Sequence, residues 1–202
     1  WPNKQWETGR NVKKSVLHDR LENVGAVFGQ SAGWERANWF ADSGQKAEYK
    51  YDFFKQNWFE NNRKEHEAVR EHVGIFDQSS FSKFLVQGND SLKVLNKLAT
   101  ANLDKPVGKV MYTQFLNDVG GVEADLTITR LSETEFLVVT AAFTATHVSS
   151  WIKEKINQEQ FCVLTDVSSA YSMLNIQGPK SRQLISSVTD PSVMSNELFP
   201  FG

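Results

Sequence analysis

Asp125 lies inside a run that otherwise reads as a good β-strand, and an aspartate there needs a reason. In Val122-Glu123-Ala124-Asp125-Leu126-Thr127-Ile128-Thr129, apolar and polar residues alternate, the period of a half-buried strand. Val122, Ala124, Leu126 and Ile128 then point one way, and Glu123, Asp125, Thr127 and Thr129 the other. Aspartate is poor in strands because its side chain competes for backbone hydrogen bonds. Asp125 therefore either lies on a solvated outer face or presents a carboxylate to a ligand. With an ordinary pKa near ~3.9 it is ionised at neutral pH. An ionised carboxylate can stabilise positive charge or move a proton. The strand Val110 to Asn117 precedes it through the turn Val119-Gly120-Gly121, and in that hairpin Tyr112 can lie near the Asp125 strand, either as core or cross-strand packing or as part of a site.

Other chemical constellations are missing from the sequence. No Gly-x-Gly-x-x-Gly turn opens a helix after a strand, and there is no Walker loop or Gly-x-Ser-x-Gly elbow. His18, His66, His72 and His147 do not pair at metal spacing with acidic or cysteine partners, so no metal is expected. Cys162, the one cysteine, sits in the apolar run Phe161 to Leu164 and reads as a small buried hydrophobe.

The elements that must position Asp125 follow from periodicity. Asn62 to Val73 reads as a helix with Ala68, Val69 and Val73 on one face. Ser80 to Gln87 reads as a strand. Gly88-Asn89 then opens a helix in which Leu92, Leu95, Leu98 and Ala99 share a face, with Asn89 or Asp90 as N-cap. Val110 to Asn117, Val122 to Leu131 and Phe136 to Thr140 form an antiparallel meander, with Ser132-Glu133-Thr134 as its second turn. A helix with Val148, Trp151, Ile152 and Ile156 inward follows, then strands at Phe161 to Val167 and Tyr171 to Ile176. Pro179 suits the first turn of a last helix carrying Leu184, Ile185 and Val188. Leu85-Val86-Gln87-Gly88-Asn89-Asp90-Ser91 echoes Asn175-Ile176-Gln177-Gly178-Pro179-Lys180-Ser181. Two such strand-turn-helix units suggest two related α+β halves.

Residues 1–59 are different in kind. They hold Trp1, Trp6, Trp34, Trp39 and Trp58, with weak periodicity apart from a strand or turn at Gly25 to Gly29. They read as a connector anchored by aromatic rings, or as a ligand platform made of them. Across the chain, basic and acidic residues are interleaved and the net charge is -2, which leaves no nucleic-acid footprint. No apolar run approaches the roughly 20 residues that span a bilayer, no membrane partner is expected, and no signal peptide is visible. The chain is cytosolic in character. It begins at Trp1 and stops at Phe201-Gly202, and is read as an excerpt of a longer protein.

The stretch Tyr112-Thr113-Gln114-Phe115-Leu116-Asn117-Asp118-Val119-Gly120-Gly121-Val122-Glu123-Ala124-Asp125-Leu126 resembles the signature of the glycine cleavage T-protein (aminomethyltransferase) family. More closely, it resembles the folate domain fused behind a flavin domain in dimethylglycine and sarcosine dehydrogenases. Gly33-Trp34-Glu35-Arg36-Ala37-Asn38-Trp39-Phe40 resembles the linker before that domain. Gln56-Asn57-Trp58-Phe59 and Gly74-Ile75-Phe76-Asp77-Gln78-Ser79-Ser80-Phe81 resemble its opening, and Leu198-Phe199-Pro200-Phe201-Gly202 a point inside it.

The resemblance implies an α+β fold of antiparallel sheets with packed helices in ferredoxin-like halves. Residues 1–59 would be a linker after a flavin domain, and residues 60–202 the N-terminal part of a folate-binding domain. It implies tetrahydrofolate beside Asp125 as the catalytic carboxylate, with Tyr112, Phe81 and Val139 lining the folate pocket. FAD would be carried in cis by the flavin domain. The partners implied are folate and a methylated amine, in the cytoplasm or, in a eukaryote, the mitochondrial matrix. Ala141 follows Val138-Val139-Thr140 where T-proteins have asparagine, which favours the flavin-fused branch over a glycine-cleavage protein. A non-catalytic regulator of the same architecture, like the pyruvate dehydrogenase phosphatase regulatory subunit, stays open. A protein of tRNA modification or iron-sulfur assembly would need a Lys-Gly-Cys motif that this segment lacks.

Overall fold

A computed structural model describes residues 4–200; Trp1, Phe201 and Gly202, named above, lie outside the described residues. In chain order the elements are α1 (His18–Asn23), β1 (Ala26–Ser31), β2 (Trp34–Phe40), α2 (Phe59–Glu71), β3 (Gly74–Asp77), β4 (Ser82–Gln87), α3 (Ser91–Leu98), β5 (Val110–Leu116), β6 (Val122–Ser132), β7 (Glu135–Thr140), α4 (Ala145–Glu154), β8 (Val163–Asp166), β9 (Leu174–Gln177) and α5 (Ser181–Ser186). Every ladder between these strands is antiparallel, so the fold is the expected α+β class. The chain forms two compact units. One comprises Ser80–Tyr171, and the other the described residues up to Ser79 with those from Ser172 onward.

The Ser80–Tyr171 unit is a five-stranded sheet in the order β5-β6-β7-β4-β8. Its inward face is built by the two-residue period: Ala124, Leu126 and Ile128 on β6, Phe136 and Val138 on β7, and Phe84 and Val86 on β4 are buried. They pack against Val94, Leu95 and Leu98 of α3 and Val148 and Ile152 of α4 in one cluster. Each such aliphatic side chain contributes roughly 1.5–3 kcal/mol by leaving water. Both helices therefore cover one face of the sheet and leave the other to Asp125.

Details of α3 and α4 differ from the sequence expectation for physical reasons. On α3 the buried residues are Ser91, Val94, Leu95 and Leu98, while Leu92 is only partly buried and Ala99 follows the helix. Ser91 turns inward because its hydroxyl donates to the Thr134 carbonyl at 3.0 Å. Asp90 occupies the N-cap position but makes no cap bond; its Oδ2 accepts the Phe161 N–H at 2.9 Å instead. On α4, Val148 and Ile152 are buried as expected, Trp151 is half-buried, and Ile156 packs on the core just past the helix end.

In the other unit, β1 and β2 form a hairpin closed by Ala32-Gly33, both at positive φ (52° and 81°), the two-residue geometry that matches strand twist. Trp39, Tyr49, Tyr51 and Trp58 interlock with ring centroids 5.2–6.5 Å apart, whereas Trp6 is exposed. The helix α2 starts at Phe59, earlier than its periodicity predicts, and its inward face is polar. Asn61 is buried because its Nδ2 donates to the Phe40 carbonyl at 2.8 Å and to Gln45 at 2.9 Å. Glu65, one turn on, accepts the Phe40 N–H at 3.2 Å. Ala68 is exposed. The helix α5 begins at Ser181, so Pro179 precedes it, and Val188 is exposed.

The sequence echo is a repeated joint. In one unit β4 ends at Gly88 (φ 132°), where Ser91 N–H bonds the Gly88 carbonyl (3.0 Å) and Asp90 N–H bonds the Phe161 carbonyl (3.2 Å). In the other, β9 ends at Gly178 (φ 125°), with Ser181 N–H on the Gly178 carbonyl (3.1 Å) and Lys180 N–H on the His72 carbonyl (2.9 Å). The partner strands enter in the same register: Gln87 faces Val163 and Gln177 faces Gly74.

Candidate functional site

The hairpin β5–β6 carries the candidate site. Gln114 pairs with Asp125 and Tyr112 with Thr127; Thr127 in turn pairs with Val139 on β7, and Val139 with Lys83 on β4. Strand alternation puts Tyr112, Gln114, Asp125, Thr127, Val139 and Lys83 on the face away from α3 and α4. Of the residues expected to form the site, the structure thus brings Asp125, Tyr112 and Val139 onto one face. Phe81 lies just before β4, half-buried, where its carbonyl accepts Lys83 Nζ at 2.8 Å. Lys83 is 2% exposed, and its bond to the Phe81 carbonyl meets the need of a buried amine for a hydrogen-bond partner.

The geometry at Asp125 is specific. The Tyr112 hydroxyl donates to Asp125 Oδ2 at 2.7 Å, a charge-assisted bond. The Tyr112 oxygen accepts Gln114 Nε2–H at 3.2 Å. The Asp125 carboxylate that takes this proton holds the Tyr112 hydroxyl above its ordinary value, aided by desolvation, while Gln114 opposes the shift. Tyr112 is 62% exposed, so its ring is open to contact. Asp125 Oδ1 has no hydrogen-bond partner among the described residues. From the backbone side, Thr140 Oγ1 donates to the Asp125 carbonyl at 3.5 Å and meets Thr144 Oγ1 at 3.0 Å.

Two residues depart from the sequence reading. Glu123 does not share Asp125's surroundings. A bulge pairs Phe115 with Ala124 but Leu116 with Val122, leaving Glu123 as the extra residue. Its carboxylate accepts Asn117 Nδ2–H at 2.8 Å and meets His147 Nε2 of α4 at 2.9 Å. Gln114, not singled out in the sequence, joins the site; its spacing of two from Tyr112 on one strand is the signal that would have found it. As for metals, among the described residues His18, Asp19 and Glu22 bring ligand atoms within 4.8 Å of one another, which makes His18 the exception to the histidine reading. No helix of the described residues is long and apolar enough to cross a membrane.

Comparisons with known proteins agree with this architecture. The chain is 44% identical, over 98% of its length, to 4-methylaminobutanoate oxidase (formaldehyde-forming) of Paenarthrobacter nicotinovorans, covering 24% of that protein. It is 32% identical to human mitochondrial dimethylglycine dehydrogenase, over 100% of this chain and 23% of that one. It is 31% identical to the mouse mitochondrial pyruvate dehydrogenase phosphatase regulatory subunit, over 93% of this chain and 22% of that one. The chain spans about a quarter of the length of these relatives. Among solved structures, aminomethyltransferase T of the Bartonella henselae glycine cleavage system shares the fold, with a TM-score of 0.71 at 24% identity over 88% of this chain and 44% of that one. Residues 17–202 match the family model of the GCVT N-terminal domain, and the chain belongs to that family.

Proposed function

We propose that this chain is the tetrahydrofolate-binding part of an FAD-dependent N-methyl amine oxidase or dehydrogenase. In this reading the one-carbon unit released by amine oxidation passes to tetrahydrofolate, giving 5,10-methylenetetrahydrofolate. The observation that carries it is the Tyr112–Asp125 pair, 2.7 Å apart on the sheet face opposite α3 and α4, within the stretch that resembles the aminomethyltransferase signature. Relatives named for oxidation of 4-methylaminobutanoate and dimethylglycine support an N-methylated amino acid as the amine. Residues 1–59 would link the flavin part to residues 60–202.

The donor set fits a reduced pterin. Asp125 offers a free carboxylate oxygen to ring N–H groups, Tyr112 an open aromatic face, and Val139 an apolar wall; Phe81 is assigned to the same pocket. FAD, held by a part of the parent protein outside these 202 residues, would supply hydride abstraction from the amine. Asp125 then holds the folate amine in place and accepts its proton as nitrogen attacks the one-carbon unit. Both folate N–H protons pass in turn to the departing amine, one as each N–CH2 bond forms, so that an iminium cation and a folate bearing two N–H groups become methylenefolate and a protonated amine. Tyr112 keeps Oδ2 occupied, which leaves Oδ1 for the folate.

The test is titration of tetrahydrofolate into the full-length protein, with methylene transfer measured relative to amine oxidation in the same preparation. Asp125→Asn is expected to cut transfer about a hundredfold or more. The similarity to a phosphatase regulatory subunit favours a second reading, a non-catalytic regulator of the same architecture. Absence of folate binding by the intact wild-type protein would select it.

A further inference from the structure

The geometry points to Gln114 as a positioning residue for the folate reaction, acting through Tyr112 to decide which oxygen of Asp125 faces the substrate. The inference rests on the folate reading proposed above and adds a residue to it.

A phenol has one proton to give and lone pairs to receive one. Tyr112 gives its proton to Asp125 Oδ2 at 2.7 Å and receives one from Gln114 Nε2 at 3.2 Å. With both capacities used, rotation of the hydroxyl about its C–O bond is fixed, and the Tyr112 proton is committed to one carboxylate oxygen. An amide donor on the phenol oxygen also makes the phenol a better donor to Asp125, since successive hydrogen bonds polarise one another.

Gln114 is itself held from both sides. Its Cα is paired with Asp125 across the β5–β6 ladder, so the amide stem springs from directly opposite the carboxylate. On the other edge of β5, the Gln114 carbonyl accepts Thr100 N–H at 3.0 Å, and Ala99 bridges Phe115. The segment after α3 therefore pins the backbone at this residue, although β5 is the edge strand of its sheet. A rigid backbone beneath a hydrogen-bonded side chain is the support that a carboxylate needs to keep one geometry. Without Gln114, Tyr112, which is 62% exposed, is free to rotate and to share its proton between both oxygens.

The experiment uses the full-length flavoprotein with Gln114→Leu and with Gln114→Glu, which keeps the side-chain size. Two quantities are read: the phenol titration of Tyr112 by phenolate absorbance, with Tyr112→Phe as the blank, and methylene transfer to tetrahydrofolate relative to amine oxidation. Both variants are expected to titrate Tyr112 at higher pH than wild type, Gln114→Glu more so because it adds a negative charge. Both are expected to lower kcat/KM for tetrahydrofolate roughly five- to tenfold, the weight of one hydrogen bond. A residue that only packs would leave the phenol titration unmoved. Unchanged titration in both variants, or unchanged transfer, overturns the role of Gln114 while leaving the folate reading standing. If the wild-type protein transfers no methylene, the folate reading falls and this inference with it.

Discussion

The two units use the same joint and surround it differently. At Gly88 and at Gly178 a strand ends in Gln-Gly at positive φ, a serine N–H closes onto the glycine carbonyl, and the partner strand's approach delivers a carbonyl to the N–H of the residue before that serine. In the Ser80–Tyr171 unit that joint feeds α3, which is buried against a five-stranded sheet. In the other unit it feeds α5, which has no buried residue and follows a two-stranded ladder whose Ile75, Phe76 and Leu174 are exposed. The joint is therefore local chemistry, set by a glycine and a serine, and it recurs whether or not the helix that follows is buried.

The largest effect expected from this likeness is at the glycines. A Cβ on Gly88 would sit 2.1 Å from the Phe161 carbonyl oxygen, and one on Gly178 2.5 Å from the His72 carbonyl oxygen. Both are backbone atoms, and both glycines hold φ values that side chains rarely adopt. Gly88→Ala is expected to cost about 3 kcal/mol or more and Gly178→Ala somewhat less, read as a drop in urea midpoint. A neutral Gly88→Ala would break the equivalence of the two joints.

A smaller difference lies two residues on. Asp90 and Lys180 hold matching positions, and each N–H bonds the approaching carbonyl. Only Asp90 adds a side-chain bond to backbone, from Phe161 N–H at 2.9 Å; Lys180 Nζ instead meets His72 Nδ1 at 2.8 Å on an exposed surface. Asp90→Ala is expected to lower stability by about 1 kcal/mol, and Lys180→Ala by a few tenths at most, in the same urea titration. Equal losses would mean that the side chain at this position does not distinguish the joints.

These contrasts also mark what was legible in the sequence. The strand around Asp125 was readable because burial of one face imposes a strict two-residue alternation, and the Gln-Gly-x-x-Ser echo because the joint is local. The inward turn of Ser91 was not, since its reason is the Thr134 carbonyl on another turn. Nor was the polar face of α2, whose Asn61 and Glu65 answer the carbonyl and N–H of Phe40 on β2. Glu123 looked equivalent to Asp125 by parity, but the bulge at Leu116 breaks parity there. Hairpin geometry places Tyr112 near the Asp125 strand, but its bond to Asp125 and the third member, Gln114, depend on side-chain hydrogen bonds that no pattern of hydrophobicity records.

The smallest expected effect separates the outer face of the five-stranded sheet from its core. The Tyr112 phenol is held above its usual pKa of 10.0, first by its hydrogen bond to Asp125. A group whose folded pKa is raised contributes stability that is fully present below the unfolded pKa and lost as pH rises through the folded one. The contribution of the Tyr112–Asp125 bond should thus be constant through neutral pH and disappear only above about pH 10. Urea midpoints of wild type and Tyr112→Phe should then differ slightly at neutral pH and converge in alkaline solution as the wild-type bond is lost. Exposure of the pair keeps the difference small. A gap that persists unchanged into alkaline solution would mean that the hydroxyl is not bonded to the carboxylate, and the sheet's outer face would then lack the pairing on which the proposed folate chemistry rests.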